Sequence, residues 1–108
     1  MPIDLQPDQF ENDVVGSSVP VLVDFWGPQC VPCIALNPTV ADLEQAYSGD
    51  LKVVKVNTPD HRKLCIQLKV LGLPTFIVFR DGVEIARISK NSISSDELTK
   101  WVAATLPQ

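Results

Sequence analysis

Two of the three cysteines in this 108-residue chain, Cys30 and Cys33, fall in the stretch VLVDFWGPQCVPCIAL (residues 21–36), and a lone carboxylate, Asp24, precedes them in the same stretch. Thiols at C-x-x-C spacing can close a reversible disulfide or supply half of a metal-ligand set. Disulfide exchange needs a thiolate to attack and a second thiol to resolve the mixed disulfide. Cys30 follows an apolar, β-branched run and precedes a helical pattern. Its sulfur can therefore lie over unpaired helix N–H groups and the positive end of the helix dipole, which favour the thiolate. Cys33 can then reach back to resolve. Pro32 is tolerated early in the helix, where its missing N–H would have had no partner, and it stiffens the ring that oxidation closes. Val31 and Pro32 add no cation or imidazole to hold the thiolate, so a potential on the reducing side is expected. Asp24 sits amid VLV and Phe25. Burying it ionised and unpaired would cost several kcal/mol, so its pKa should rise toward neutrality and make it a usable base. The competing readings place it at a wet strand end or in a structural ion pair with Lys55.

Such a pair needs a strand that stops where a helix begins. VPVLVDF, residues 19–25, is nearly continuous in apolar side chains and predicts a central strand covered on both faces. From Cys33 the period changes: Leu36, Val40, Leu43 and Tyr47 predict one amphipathic helix, kinked at Pro38. Upstream, DQFENDVVGSS predicts a helix with Phe10, Val14 and Val15 on one side that ends near Gly16. A short strand is expected near Ile3 to Leu5. Downstream, LKVVKVN (51–57) predicts a second strand, and DHRKLCIQLKV (60–70) a second amphipathic helix capped by Asp60. TFIVF and VEIARIS around Arg80-Asp81-Gly82 predict an antiparallel hairpin. Ser94 with Glu97 forms a capping-box pattern before a helix carrying Leu98, Trp101, Val102 and Thr105. Strand–helix–strand connections imply a parallel core and the hairpin adds antiparallel edges, so the expected class is α/β, a mixed sheet with helices on both faces. Phe76, Phe79 and Trp101 read as core.

Composition narrows the function. At 45% hydrophobic and 20% charged the chain reads as one soluble domain, residues 1–108, able to fold without disulfide staples. Nine Lys plus Arg against thirteen Asp plus Glu give a net charge of −4 with no basic block, which argues against nucleic acid. The first residues lack a basic-then-apolar leader, and no apolar run reaches the roughly 18 residues of a membrane span. A cytoplasmic address and no membrane partner are therefore expected. Three cysteines are too few for a secreted disulfide framework. His61 and Cys65, one helical turn apart, could complete a Cys3His zinc set with the pair, but the 27 residues between Cys33 and His61 exceed the usual spacing of about 12 to 20. Cys65 shares the stripe of Leu64 and Leu68 and reads as core.

VDFW (23–26), Cys30-Val31-Pro32-Cys33, Pro38, Lys55, LPT (73–75) and the Asp-Gly hairpin occur in an order that resembles thioredoxin over nearly the whole chain. The resemblance implies the thioredoxin fold and a protein-disulfide reductase, with Cys30 as nucleophile and Cys33 as resolving thiol. It implies that Pro74 is cis and lies against the pair, beside backbone at Leu73 that pairs with an extended substrate. It gives Asp24 the task of moving the resolving proton, with Lys55 nearby, and a substrate face of Trp26, Gln29, Val31, Pro32, Leu73, Pro74 and Lys90. No bound cofactor is implied; the redox-active disulfide Cys30–Cys33 serves, and electrons come from a separate thioredoxin reductase, flavin- or ferredoxin-linked. The partners are that reductase and disulfide-containing proteins, met by a monomer that serves electron transport and cell redox homeostasis. Three positions and one dipeptide depart from the family pattern. Gln29 replaces a tryptophan, Val31 a glycine and Lys90 a glycine, and Thr58-Pro59 stands where an Asp often contacts the strand tryptophan, here Trp26. These changes bear on docking more than on exchange. Burying the Lys90 ammonium against a partner without a carboxylate to meet it would cost affinity, whereas a partner with an acidic patch would gain on-rate and specificity. The alternatives are a thioredoxin-fold binding or assembly module with little turnover and a Cys/His metal-site protein.

Overall fold

The apolar run that predicts a central strand becomes β2, Val21–Trp26, hydrogen-bonded on both sides. In the computed structural model, which describes residues 2–106, β2 runs parallel to β3 (Lys52–Asn57) and antiparallel to β4 (Thr75–Arg80). Positions 1, 107 and 108 of the expected domain lie outside the described residues. β1 (Ile3–Asp4) adds to β3 in parallel and β5 (Val83–Ser89) to β4 antiparallel, so the five-stranded order is β1-β3-β2-β4-β5. β2 is apolar throughout save Asp24 because side chains on both of its faces are covered. Leu22 packs with Val53, Phe76 and Val78 under the helices α2 (Asn37–Ala46) and α4 (Ser95–Thr105). Val21, Val23 and Phe25 pack with Val54, Val56 and Ile77 under the helix α3 (Arg62–Gln67) and a wide turn at Glu11–Val15. The mixed sheet with helices on both faces is as the alternation of periods predicts.

The helices depart from expectation in several places, and the helix expected around Phe10, Val14 and Val15 is only the five-residue wide turn at Glu11–Val15. The single kinked helix after Cys33 is instead two: α1 (Val31–Ala35) stops at Leu36, and α2 restarts with Pro38 in its first turn. A proline deep in a continuous helix would strike the carbonyl four residues back and leave it unbonded; ending one helix and starting another removes both costs. The expected Asp60 cap is not formed. Asp60 belongs to a tight turn at Thr58–Asp60, His61 takes the cap position of α3, and no side chain caps that helix. Ser94 caps α4 by accepting the Glu97 N–H at 3.0 Å, but the Glu97 carboxylate turns to Lys90. The hairpin turn is as expected: Asp81 and Gly82 both have positive φ, 52° and 78°, which a two-residue turn matched to strand twist requires.

α3 ends short of its predicted limit because Lys69 adopts φ 58°. Val70 N–H then bonds the Cys65 carbonyl at 2.9 Å and Lys69 N–H the Ile66 carbonyl at 3.1 Å, a left-handed helix stop made without glycine. Arg87 on β5 fastens it. Its guanidinium donates to the Leu68 and Lys69 carbonyls at 2.8 and 3.1 Å and is itself gripped by both oxygens of Glu84 at 2.7 and 2.9 Å. This fork fixes where the chain leaves α3 and turns toward Leu73 and Pro74. Arg87→Met should lower stability by about 1–2 kcal/mol, seen as a lower urea midpoint at unchanged slope.

Candidate active site

Opposite strand directions gather the site. The C-terminal ends of β2 and β3 and the N-terminal end of β4 share one edge of the sheet, since Phe25 pairs with Thr75 and Trp26 with Asn57. The segments leaving or entering those ends carry the cysteines, Thr58-Pro59 and Leu73-Pro74. Cys30 caps α1: its backbone is extended and its Sγ accepts the Cys33 N–H at 3.2 Å. Cys30 and Cys33 are joined as a disulfide, with Cα atoms 5.2 Å apart. The pair is asymmetric, for Cys33 is 2% exposed while Cys30 is only half-buried. The Leu73–Pro74 bond is cis. Leu73 reaches the segment that leads from β2 to the pair: a side chain at Gly27 would meet Leu73 Cδ1 at 3.5 Å and Thr58 Oγ1 at 3.6 Å. Thr75 anchors this corner by donating to the Gly72 carbonyl at 2.5 Å and sharing a hydrogen bond with Ser89 at 2.7 Å. Pro28, Gln29, Val31 and Pro32 are exposed around the disulfide, Val31 at 75%.

Asp24 is neither at a wet strand end nor in an ion pair. It is 1% exposed, and neither carboxyl oxygen has a hydrogen-bond partner among the described residues. Burial pushes its pKa up from 3.8 to about 7; the Lys55 ammonium opposes that rise and the Asp4 charge adds to it. Lys55 is in register with both Asp24 and Asp4, yet its ammonium bonds neither. It donates to Asn37 Oδ1 at 2.9 Å and lies 4.6 Å from the centre of the Trp26 ring. Trp26 Nε1 and Asn57 Oδ1 are buried without partners among the described residues. A cleft lined by Asp4, Gln6, Trp26, Asn57, Asp60 and His61 opens beside them.

The Lys90 ammonium is paired within the chain, by Glu97 on α4. His61 and Cys65 are occupied elsewhere. His61 Nε2 donates to the Leu5 carbonyl at 3.0 Å, and Cys65 is a buried free thiol whose pKa burial pushes up. Among the described residues no three His, Cys, Asp or Glu side chains gather as a metal-ligand set. Sequence reasoning missed Asn37, Asp4 and Glu97. Asn37 becomes visible only once the helix breaks at Leu36, Asp4 only through the β1–β3 register, and Glu97 reads as half of a capping box.

The family model for thioredoxin matches residues 1–104. Thioredoxin from Acetoanaerobium sticklandii is 38% identical over 99 residues, which cover 92% of this chain and 94% of that protein. Thioredoxin 1 from Synechococcus elongatus is 43% identical over 76 residues, 70% of this chain and 71% of its own. Thioredoxin 1 from Nostoc sp. is 42% identical over 76 residues, again 70% and 71% of the two chains.

The orphaned carboxyl makes stability depend on pH in a defined direction. Its folded pKa lies above the unfolded value, so the native state binds the extra proton between about pH 4 and 7. Stability is therefore greatest below that window, falls as pH rises through it and is level above it. Asp24→Asn, which mimics the neutral acid, should abolish this dependence and be more stable than the parent at pH 8 by on the order of 4 kcal/mol, with the difference vanishing near pH 4. Urea unfolding of both oxidised proteins at pH 4, 6 and 8 measures it.

Proposed function

The chain belongs to the thioredoxin family, a thiol–disulfide oxidoreductase that reduces protein disulfides through the Cys30–Cys33 pair, and we propose the following division of labour among its residues. The Cys30 thiolate attacks a target disulfide, forming a mixed disulfide and releasing one target thiolate. Cys33, its proton taken by Asp24, attacks Cys30 Sγ and releases the second target thiolate. Two electrons pass to the target, and the enzyme is left with the Cys30–Cys33 disulfide. The asymmetry of the pair carries this reading: an accessible sulfur that accepts a backbone N–H, joined to a buried one. A hydrogen bond to the charged sulfur favours the thiolate, and burial protects the resolving thiol from other encounters.

Asp24 suits its role because a carboxyl titrating near neutrality can take and return a proton at working pH. Lys55 supports its charged form from the neighbouring strand. Leu73 and the cis Pro74 form the wall against which an extended substrate segment lies, and Trp26, Gln29, Val31, Pro32 and Lys90 complete the docking surface. Thioredoxin reductase and disulfide-containing proteins are the partners. The finer assignments are that the domain acts as a cytoplasmic monomer with no bound cofactor, recharged by a flavin- or ferredoxin-linked reductase. Among the described residues no helix is long and apolar enough to cross a membrane.

Two experiments test this. Cys33→Ser should accumulate mixed disulfides with target proteins through Cys30, whereas Cys30→Ser should not; equal trapping by both would overturn the assignment. The docking positions should set partner choice without altering exchange chemistry. Gln29→Trp with Lys90→Gly, which restores a large apolar contact and clears the groove, should raise kcat/KM with a flavin-linked reductase at least several-fold more than it changes the rate with a small-molecule disulfide. An equal gain in both reactions would refute it.

A further inference from the structure

Lys55 lies in a row of side chains across the sheet. The registers Asp4↔Lys55, Lys55↔Asp24 and Asp24↔Phe76 place one ammonium between two carboxylates on the face covered by α2 and α4. Elementary electrostatics would draw that ammonium onto Asp24, the more deeply buried of the two, whose oxygens lack any partner among the described residues. It goes to Asn37 instead. Asn37 opens α2 immediately after the break at Leu36, so the interruption of the helix sets the amide at the height of Lys55. Trp26, two residues after Asp24 and so on the same face of β2, supplies the second contact through its ring. Half-buried Lys55 thus keeps part of its hydration while bonding a neutral acceptor, which avoids the desolvation that a fully buried ion pair would demand.

We propose that Asn37 is a positioning residue of the exchange reaction: by accepting the Lys55 ammonium it holds that charge off Asp24 and keeps the carboxyl unpaired. The role extends the reading of Asp24 as proton carrier and rests on it. Without the Asn37 amide the ammonium is free to swing along its row to Asp24, stabilise the carboxylate and leave a weaker base for the Cys33 proton. The charges that act on Asp24 are those of Lys55 from β3 and Asp4 from β1. β4 offers Phe76 and α4 offers Leu98 and Val102; Glu97 and Asp96 of α4 are paired with Lys90 and Lys100. α2 also carries Asp42 and Glu44, and the Cys30–Cys33 pair of α1 is uncharged as the disulfide.

The test follows the Asp24 carboxyl by carbon NMR across pH in the oxidised protein. Asn37→Ala should lower its titration midpoint by about one pH unit, because the released ammonium approaches it. Asn37→Asp should raise the midpoint, since it keeps Lys55 engaged and adds a negative charge nearby. Lys55→Met should raise it as well, and adding Asn37→Ala to Lys55→Met should then change nothing further. A midpoint unmoved by Asn37→Ala, or moved equally with and without Lys55, overturns the proposal. The pH profile of protein-disulfide reduction is recorded in parallel. A carboxyl titration that shifts while the rate profile stays put establishes that Asn37 holds Lys55 off Asp24 but overturns Asp24 as the base, and with it the part of Asn37 in exchange.

Discussion

Every part of the site depends on β2 being held along its length by a parallel neighbour on one side and an antiparallel one on the other. The parallel partner sends its chain out at the same end as β2, and the antiparallel partner enters there. Three connections therefore converge at one edge of the sheet, bearing the cysteines, Thr58-Pro59 and Leu73-Pro74. Because β2 is central, both of its faces must be covered, and its side chains alternate between two apolar layers. A single polar residue in such a strand has nowhere wet to go. Asp24 is buried by the same pairing that gathers the site.

That constraint turns a structural liability into a chemical one. A carboxyl in an apolar layer meets its desolvation either by pairing or by protonation, and here the nearby cation is engaged elsewhere. The Asn37–Lys55–Trp26 arrangement keeps a positive charge close enough to ease ionisation of Asp24 without forming the ion pair that would lock the carboxylate. A permanently ionised Asp24 would be a poor proton acceptor near neutral pH, and an isolated one would resist ionising at all. The break between α1 and α2 acquires a purpose in this light beyond accommodating Pro38, because it brings Asn37 to β3.

The rim is built on different terms. Val31 and Ile34 are exposed on α1 beside the disulfide, and Ile66 borders a shallow cleft with Thr58 and Pro59. Gln29 and Lys90 replace smoother contacts with polar ones, but Lys90 is neutralised within the chain by Glu97 and so presents less charge to a partner than its type implies. Farther out, the Arg87 fork and the left-handed Lys69 decide how the segment carrying Leu73 leaves α3. On the proposed reading, docking is shaped by contacts remote from the sulfurs, whereas exchange draws on the start of α1 together with Asp24 and the Asn37–Lys55 contact behind it.

The C-x-x-C pair, the apolar run with its one carboxylate, the hairpin turn and the Ser94 cap were legible in the sequence because each is local: spacing, period and turn chemistry act over a few residues. The likeness to thioredoxin was legible for the same reason, as short motifs in a fixed order. Asp60 misled because Pro59 favours a tight turn, and that turn pulled the helix start past the expected cap. Pro38 signalled an interruption but not whether the helix would bend or end, since that depends on what the following side chains can reach. The partners of Lys55 and Lys90 could not be read from order at all. Asn37 and Glu97 meet them across strand register and helix packing, and a charged side chain takes whichever acceptor the tertiary structure offers with the least desolvation.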